Sequence, residues 1–311
     1  MEADRTLVGI VTKAVGGFFF VSSGGRVYRC VARGKLRRRS PQDPGLFRIV
    51  PGDRVRFLPL SGEEGVIEER LPRSGELTKP AAADPHRLQV IAANVDQCAV
   101  VFAVRRPDPE PHAIDRFLAL AEASRLHPFL CFNKVDLGDP GPLADLYAQI
   151  GYPVLRTSAL TGEGLKTLRE TLRGHLTVLV GPSGVGKSSL LNALLRTHVR
   201  PVREVSPRTG RGRHTTTTAE LLEVGPDAFV VDTPGVQVLE FVHIAPEVVQ
   251  NCFPEIRVHK EACAFGDCLH RSEPGCAVRE AVEAGSIPRT RYESYLRMLE
   301  EAERAKREQY A

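Results

Sequence analysis

The tetrapeptide Asn133-Lys134-Val135-Asp136 comes before the glycine-rich run Gly181-Pro182-Ser183-Gly184-Val185-Gly186-Lys187-Ser188, and this order constrains the fold more than anything else in the chain. A G-x4-G-K-S run that follows an apolar strand and opens a helix is a phosphate loop. Where such a loop is joined to an NKxD tetrapeptide, the loop ordinarily comes first and the tetrapeptide near the end. Here NKxD and its companion Thr157-Ser158-Ala159-Leu160 lead, the phosphate loop follows, and His214-Thr215-Thr216-Thr217 and Asp232-Thr233-Pro234-Gly235 come after it. Every piece is present, in rotated order.

The segments around these motifs alternate between apolar strands and amphipathic helices. Residues 96–104, 129–132, 153–155 and 176–180 read as strands, as do 219–224 and 228–231, and residues 114–124 and 164–175 read as helices. Such alternation is the signature of a mostly parallel α/β sheet with its ligands at the carboxyl ends of the strands. The motifs fall at those ends. Upstream, residues 7–12, 17–21, 26–31, 53–58 and 65–69 read as five short strands separated by turns such as Pro51-Gly52-Asp53. That pattern predicts a small closed barrel of the oligonucleotide-binding type or an SH3-like one. Residues 72–85 read as a polar, proline-bearing connection. Beyond Gly235 the strand signals stop, and residues 245–251 and 292–307 look helical. The expected division is a barrel over 1–72, a permuted nucleotide domain over 73–242 and a helical C-terminal module over 243–311.

Each motif has its own chemistry. In the phosphate loop, residues 181–189 through Ser189 place backbone N–H groups and a helix N-terminus around a β-phosphate. Lys187 is expected to reach the β and γ oxygens, and the Ser188 hydroxyl to ligate magnesium. The loop alone does not separate ATP from GTP. The NKVD tetrapeptide does, because guanine offers ring and exocyclic N–H donors to the Asp136 carboxylate that adenine lacks. Asn133 is expected at the O6 and N7 side of the base, Lys134 along the ring and the Ala159 N–H at O6, with Val135 and Ser158 counted among the GTP-binding residues. Asp232 would hold magnesium and the Gly235 N–H would meet the γ-phosphate. Position 236, where many such sites carry a water-orienting glutamine, is valine. Valine cannot polarise water. One of Thr215 to Thr217, with Thr216 favoured, completes the magnesium shell. His214 either orients the attacking water or, with its neighbouring arginines, binds RNA phosphate.

Cys263-x4-Cys268-x-His270-x5-Cys276 places three thiols and an imidazole in one short loop. This is the ligand set of a closed, structural zinc site. Cys30, Cys98, Cys131 and Cys252 lie among apolar neighbours and read as buried thiols of a reducing compartment. In 311 residues the formal net charge is only +4, so nucleic-acid contact has to come from local basic surface, of which Arg33-Gly34-Lys35-Leu36-Arg37-Arg38-Arg39 is the clearest. No stretch is apolar over the ~20 residues a membrane helix needs, and the first residues have no basic start running into an apolar core. The expectation is a cytoplasmic, monomeric protein without a membrane partner.

With a preceding barrel, rotated motifs and a trailing Cys, Cys, His, Cys cluster, the chain resembles the RsgA/YjeQ family of small-ribosomal-subunit-dependent circularly permuted GTPases. The residues that carry the resemblance are Asn94-Val95-Asp96-Gln97, Ile114-Asp115-Arg116-Phe117-Leu118, Asn133-Lys134-Val135-Asp136-Leu137, Ser183 to Ser189, Gly212 to Thr217 and Asp267-Cys268-x-His270. Pro182 stands where the family often has glutamine. The resemblance implies binding to the 30S subunit and its rRNA near the decoding region, a role in late subunit maturation, and GTP hydrolysis to GDP. Two other classes are separable by experiment. A kinase or ATPase would share the loop without needing Asp136, and a constitutive RNA-binding scaffold would bind GTP without turnover. Because the chain leaves the sheet just after Asp232-Thr233-Pro234-Gly235, γ-phosphate contacts would be covalently continuous with the C-terminal module.

Overall fold

The computed structural model describes residues 6–34, 49–81, 84–197, 219–232 and 244–309. These form two compact units, each discontinuous in sequence: one within 1–96, 172–178 and 194–238, the other within 97–171, 179–193 and 239–311.

In the first unit, β1 (Leu7–Val15), β2 (Phe18–Ser23), β3 (Arg26–Ala32), β4 (Arg54–Pro59) and β5 (Glu64–Arg70) close into a barrel in the order β1-β2-β3-β5-β4. The β3/β5 pair is parallel, whereas β1/β2, β2/β3, β4/β5 and the closing β1/β4 pair are antiparallel. This is the oligonucleotide-binding type of the two alternatives. Alternation along each strand sends Val11, Val21, Tyr28, Cys30, Val55, Phe57 and Ile67 inward, and burial of each large apolar side chain contributes about 1.5–3 kcal/mol. The turn before β4 depends on Gly52, at φ +92°, where a Cβ would run into the Ala93 carbonyl. Its neighbour Asp53 is fully buried and accepts from Val50 N at 2.8 Å and from Arg73 Nε at 2.7 Å.

The stretch read as a polar connection is instead an antiparallel hairpin of β6 (Glu76–Ala81) and β7 (Asp84–Ala93). Its prolines had argued against pairing, but Leu88 to Ala93 is a strand-forming run. The same unit pairs β11 (Leu176–Val180) in parallel with β13 (Ala228–Asp232), and β13 antiparallel with β12 (Glu220–Gly225). Lys13 of β1 reaches Glu220 of β12 at 3.2 Å.

The second unit contains the parallel strands β8 (Gln97–Ala103), β9 (His127–Asn133) and β10 (Val154–Arg156), ordered β10-β9-β8. Every residue of β8 is buried, as expected of a strand covered on both faces. Helices α1 (Pro111–Ala123), α2 (Gly141–Ile150) and α3 (Leu165–Leu172) follow β8, β9 and β10, and α4 (Lys187–Thr197) follows β11. The C-terminal helices are α5 (Pro246–Val249), α6 (Pro254–His259), α7 (Ala277–Glu283) and α8 (Arg289–Gln309). They share a core of Phe253, Ile256, Val278, Ile287, Tyr295, Met298 and Leu299. Helices α2, α6 and α7 have no clear sequence signal because they are short and flanked by proline or glycine. Along the charged end of α8, Glu303 pairs with Arg271 at 3.0 Å and Lys306 with Glu247 at 3.0 Å. No helix among the described residues is long and apolar enough to cross a membrane.

Candidate nucleotide and metal sites

Three of the motifs, Asn133 to Asp136, Thr157 to Ala159 and the phosphate loop, come together in space. Asn133 ends β9 almost fully buried, and its amide joins three loops. Nδ2 donates to the Val185 carbonyl of the phosphate loop at 2.9 Å, while Oδ1 accepts from Ala159 N at 3.2 Å and Thr157 Oγ1 at 3.3 Å. Sequence reasoning placed Asn133 at the base edge; the structure gives it a tie between base reader and phosphate loop. Gly186, at φ +97°, is the price of that approach, because a Cβ there would overlap Asn133 Nδ2. Lys134 takes a left-handed φ of 62°. Its ammonium donates to Gly184 O at 2.8 Å and to Arg106 O. Val135 N donates to Thr157 O at 3.1 Å, which aligns the tetrapeptide with the Thr157-Ser158-Ala159 turn.

Asp136 is exposed, with the buried Ser158 hydroxyl donating to Oδ1 at 2.5 Å. Ser158 Oγ in turn accepts from Thr161 N at 3.1 Å. The carboxylate is therefore oriented from behind and open in front. This is the arrangement a donor-bearing base edge requires.

Val180 leads from β11 into the loop Gly181 to Gly186, and α4 starts at Lys187. Gly181, at φ +136°, passes so close to Val101 O that a Cβ would overlap it. Lys187 Nζ folds back to the carbonyls of Gly181 and Pro182, both at 2.7 Å. Burial holds its pKa below the ordinary lysine value. Ser183, Ser188 and Ser189 are exposed around the loop and the first turn of α4, and Val185 is buried beneath it. Asp232 ends β13. Gly235, Val236, His214, Thr215, Thr216, Thr217 and the basic Lys35 to Arg39 run lie outside the described residues.

In the C-terminal module, one ligand atom from each of Cys263, Cys268, His270 and Cys276 lies within 4.8 Å of the others. His270 Nδ1 is 3.4 Å from Cys276 Sγ and 3.6 Å from Cys263 Sγ, and the two sulfurs are 4.0 Å apart. Ligand bonds of about 2.0–2.3 Å imply tetrahedral edges of roughly 3.5–3.8 Å, so the residues fit zinc. Burial pushes the Cys268 thiol up to about 12, raises Cys276 and lowers His270. A divalent cation held by these four residues would supply the charge that makes thiolates favourable there.

The partners of this loop were not legible in sequence. Gln250 Oε1 sits 2.9 Å from His270 Nε2, on the far side of the ring from the thiols. His270 itself has a left-handed φ of 59°, and its carbonyl accepts from Tyr292 OH at 2.5 Å. Glu273 accepts from Leu269 N at 2.8 Å, Arg271 N at 2.7 Å and Ser272 N at 2.9 Å. Burial works to raise its pKa, but these amides outweigh it and bring it down to about 2. An acidic residue inside a Cys/His loop was the one available signal; Gln250 had none.

Comparison with known proteins agrees with this architecture. Residues 70–242 match the family model described as RsgA GTPase, and residues 8–67 match RsgA N-terminal domain. A protein of Moorella thermoacetica named Small ribosomal subunit biogenesis GTPase RsgA is 43% identical over 295 residues, covering 94% of this chain and 96% of its own. One of the same name from Geobacillus kaustophilus is 42% identical over 306 residues, with 96% and 98% covered. Among solved structures, YloQ, described as a circularly permuted GTPase, superposes with a TM-score of 0.77 at 31% identity over 97% of both chains. YjeQ from Thermotoga maritima gives 0.75 at 37% identity, covering 96% of this chain and 99% of its own.

Proposed function

The chain belongs to the RsgA GTPase family, and on that premise we propose that it hydrolyses GTP on the 30S ribosomal subunit, stimulated by that subunit, during late maturation of the particle. The observation that carries the nucleotide half is the Asn133 amide, which couples base reader to phosphate loop at 2.9 Å despite their reversed order. The ribosomal half is supported by the names of relatives that align along nearly the whole chain.

In this reading the three modules are the barrel 1–72 as RNA-binding unit, the permuted domain 73–242 and the zinc module 243–311. Asp136 accepts the guanine N–H donors, and the Ala159 N–H faces O6. Backbone N–H groups of residues 183–188 cradle the phosphates, and Lys187 leaves the Gly181 and Pro182 carbonyls for the β and γ oxygens. Magnesium, when bound with GTP, neutralises charge on the transferred phosphoryl group; Ser188, Thr216 and Asp232 are the residues that would hold it. Zinc on Cys263, Cys268, His270 and Cys276 is structural, because four protein ligands leave no open position. His214 orients the attacking water in place of a glutamine, and Val236 leaves hydrolysis slow without the partner. The protein works as a cytoplasmic monomer.

The test is GTP turnover with and without purified 30S subunits, with 50S subunits as control. Completion of a GTPase site by a partner can raise turnover by roughly 10³ to 10⁵. Strong stimulation by 30S alone is expected. GTP binding without turnover in the presence of 30S would instead favour the constitutive RNA-binding scaffold. Replacing His214 by alanine separates its two roles, since a purely RNA-contacting residue would leave stimulated turnover per bound complex unchanged.

A further inference from the structure

One buried guanidinium joins the helix that leaves the nucleotide pocket to the zinc module. Arg291, at the start of α8, is 1% exposed. Its Nη1 donates to Asp115 Oδ1 of α1 at 2.6 Å, and its Nε donates to Glu255 Oε1 of α6 at 2.7 Å. The guanidinium carbon lies 4.6 Å from the centre of the Phe253 ring. Tyr147 of α2 donates to the same Asp115 oxygen at 2.5 Å. A second link is made where Arg257 of α6 donates to Glu122 of α1 at 3.4 Å.

Packed apolar side chains stabilise such a junction as well as a buried ion cluster does, so stability alone does not account for three buried charges. What the cluster adds is fixed geometry, because a guanidinium forked between two carboxylates tolerates little sliding.

The other end of α1 starts at the nucleotide loops. Before it, Val104 N donates to Asn133 O at 2.9 Å, and Arg106 O accepts from Lys134. Pro107 Cδ lies 3.8 Å from the position a Cβ would take on Gly184. Segment 104–110 is thus tied to the base reader and, through Lys134, which also donates to Gly184 O at 2.8 Å, to the phosphate loop, and it runs directly into α1. At the far end, α8 also holds the metal loop, through Tyr292 OH to His270 O and Tyr295 OH to Leu269 O at 2.8 Å.

We propose that the Asp115, Arg291 and Glu255 cluster is a latch that carries nucleotide occupancy from the pocket to the zinc module through α1. It rests on the nucleotide reading of the phosphate loop, and it is a route separate from the covalent one that follows Asp232. When Lys134 turns to a base and the phosphate loop closes on phosphates, Arg106 and Pro107 lose or tighten their restraints. α1 transmits that change because Asp115 cannot slip against Arg291.

Hydrogen exchange on the zinc-loaded full chain, with and without GDP, tests it, alongside a direct GDP titration. GDP is expected to slow exchange about fivefold or more in 104–110, in α1 and in residues 289–298, a coupling at the ordinary allosteric scale. The triple variant Asp115→Asn, Glu255→Gln, Arg291→Gln removes the charges together. It is expected to bind GDP and keep the slowing at 104–110 while losing it at 289–298. Arg291→Lys keeps one charge without the fork and is expected to weaken the response at 289–298; if the triple variant does not fold, this variant decides. GDP binding by the wild type with no change at 289–298, or an unchanged response in either variant, overturns the latch alone. Failure of the wild type to bind GDP removes the premise and the latch with it.

Discussion

Asn133 Nδ2 donates to the Val185 carbonyl at 2.9 Å, a bond between residues 52 positions apart in which the earlier one belongs to the motif that ordinarily comes last. The pocket is defined by which strand ends meet and not by the order in which the chain visits them.

Replacing Asn133 by alanine removes a donor to Val185 O and an acceptor for Ala159 N and Thr157 Oγ1. Each buried group left unpaired costs about 1–3 kcal/mol. GDP affinity is expected to fall at least tenfold and the melting temperature to drop with it. A fluorescent-GDP titration with a parallel thermal melt measures both, and unchanged affinity would show that the amide does not organise the site.

In the proposed reading Asp136 is the base-selective group; it is held by Ser158 at 2.5 Å with its face open. GTP and GDP should bind far more tightly than ATP, since adenine supplies no donors to the carboxylate. Asp136→Asn is expected to weaken guanine nucleotides and favour xanthine ones, which carry the complementary oxygen. Equal GTP and ATP affinities in calorimetry would contradict the assignment.

Much of this was legible because phosphate and base recognition need fixed residue types at fixed spacings, as in Gly181 to Ser188 and Asn133 to Asp136. The barrel strands were legible from alternation, but the choice between two barrel types needed the parallel β3/β5 pair, a long-range fact. Hairpin β6/β7 was hidden by its prolines. Gln250 and Arg291 were hidden for a different reason: a single polar residue, in a short helical turn in one case and at the start of α8 in the other, carries no periodic signal, and its partner is fixed only by tertiary packing. Both His270 and Asp115 stood in motifs that resemble the family's, while the residues that orient them did not.

For the metal loop, Cys268→Ser is expected to abolish stoichiometric zinc and loosen residues 244–309 while GDP binding persists. Gln250→Ala should be milder, weakening zinc about 10–100-fold through loss of the contact that orients the His270 ring. Elemental analysis and competition with a chelator read these two outcomes. Wild-type protein free of zinc after purification without chelators would overturn the metal assignment.

The last prediction concerns the barrel. Its described surface pairs many charges internally, as in Arg29 with Glu64 at 2.6 Å and Arg33 with Glu68 at 2.7 Å, so those arginines are partly neutralised. The run Arg37, Arg38 and Arg39, outside the described residues, has Asp43 as its nearest acidic neighbour in sequence and Asp53 as the next. If the barrel anchors the protein to rRNA, replacing these three arginines by glutamine should weaken 30S binding and flatten its dependence on salt, because fewer counterions are released on contact. Intrinsic GDP binding should not change, as its groups lie in another unit. Sedimentation with 30S subunits across a salt series measures the slope. A barrel-less protein stimulated by 30S as strongly as the full chain would move the anchor to the zinc module or to the basic segment around His214.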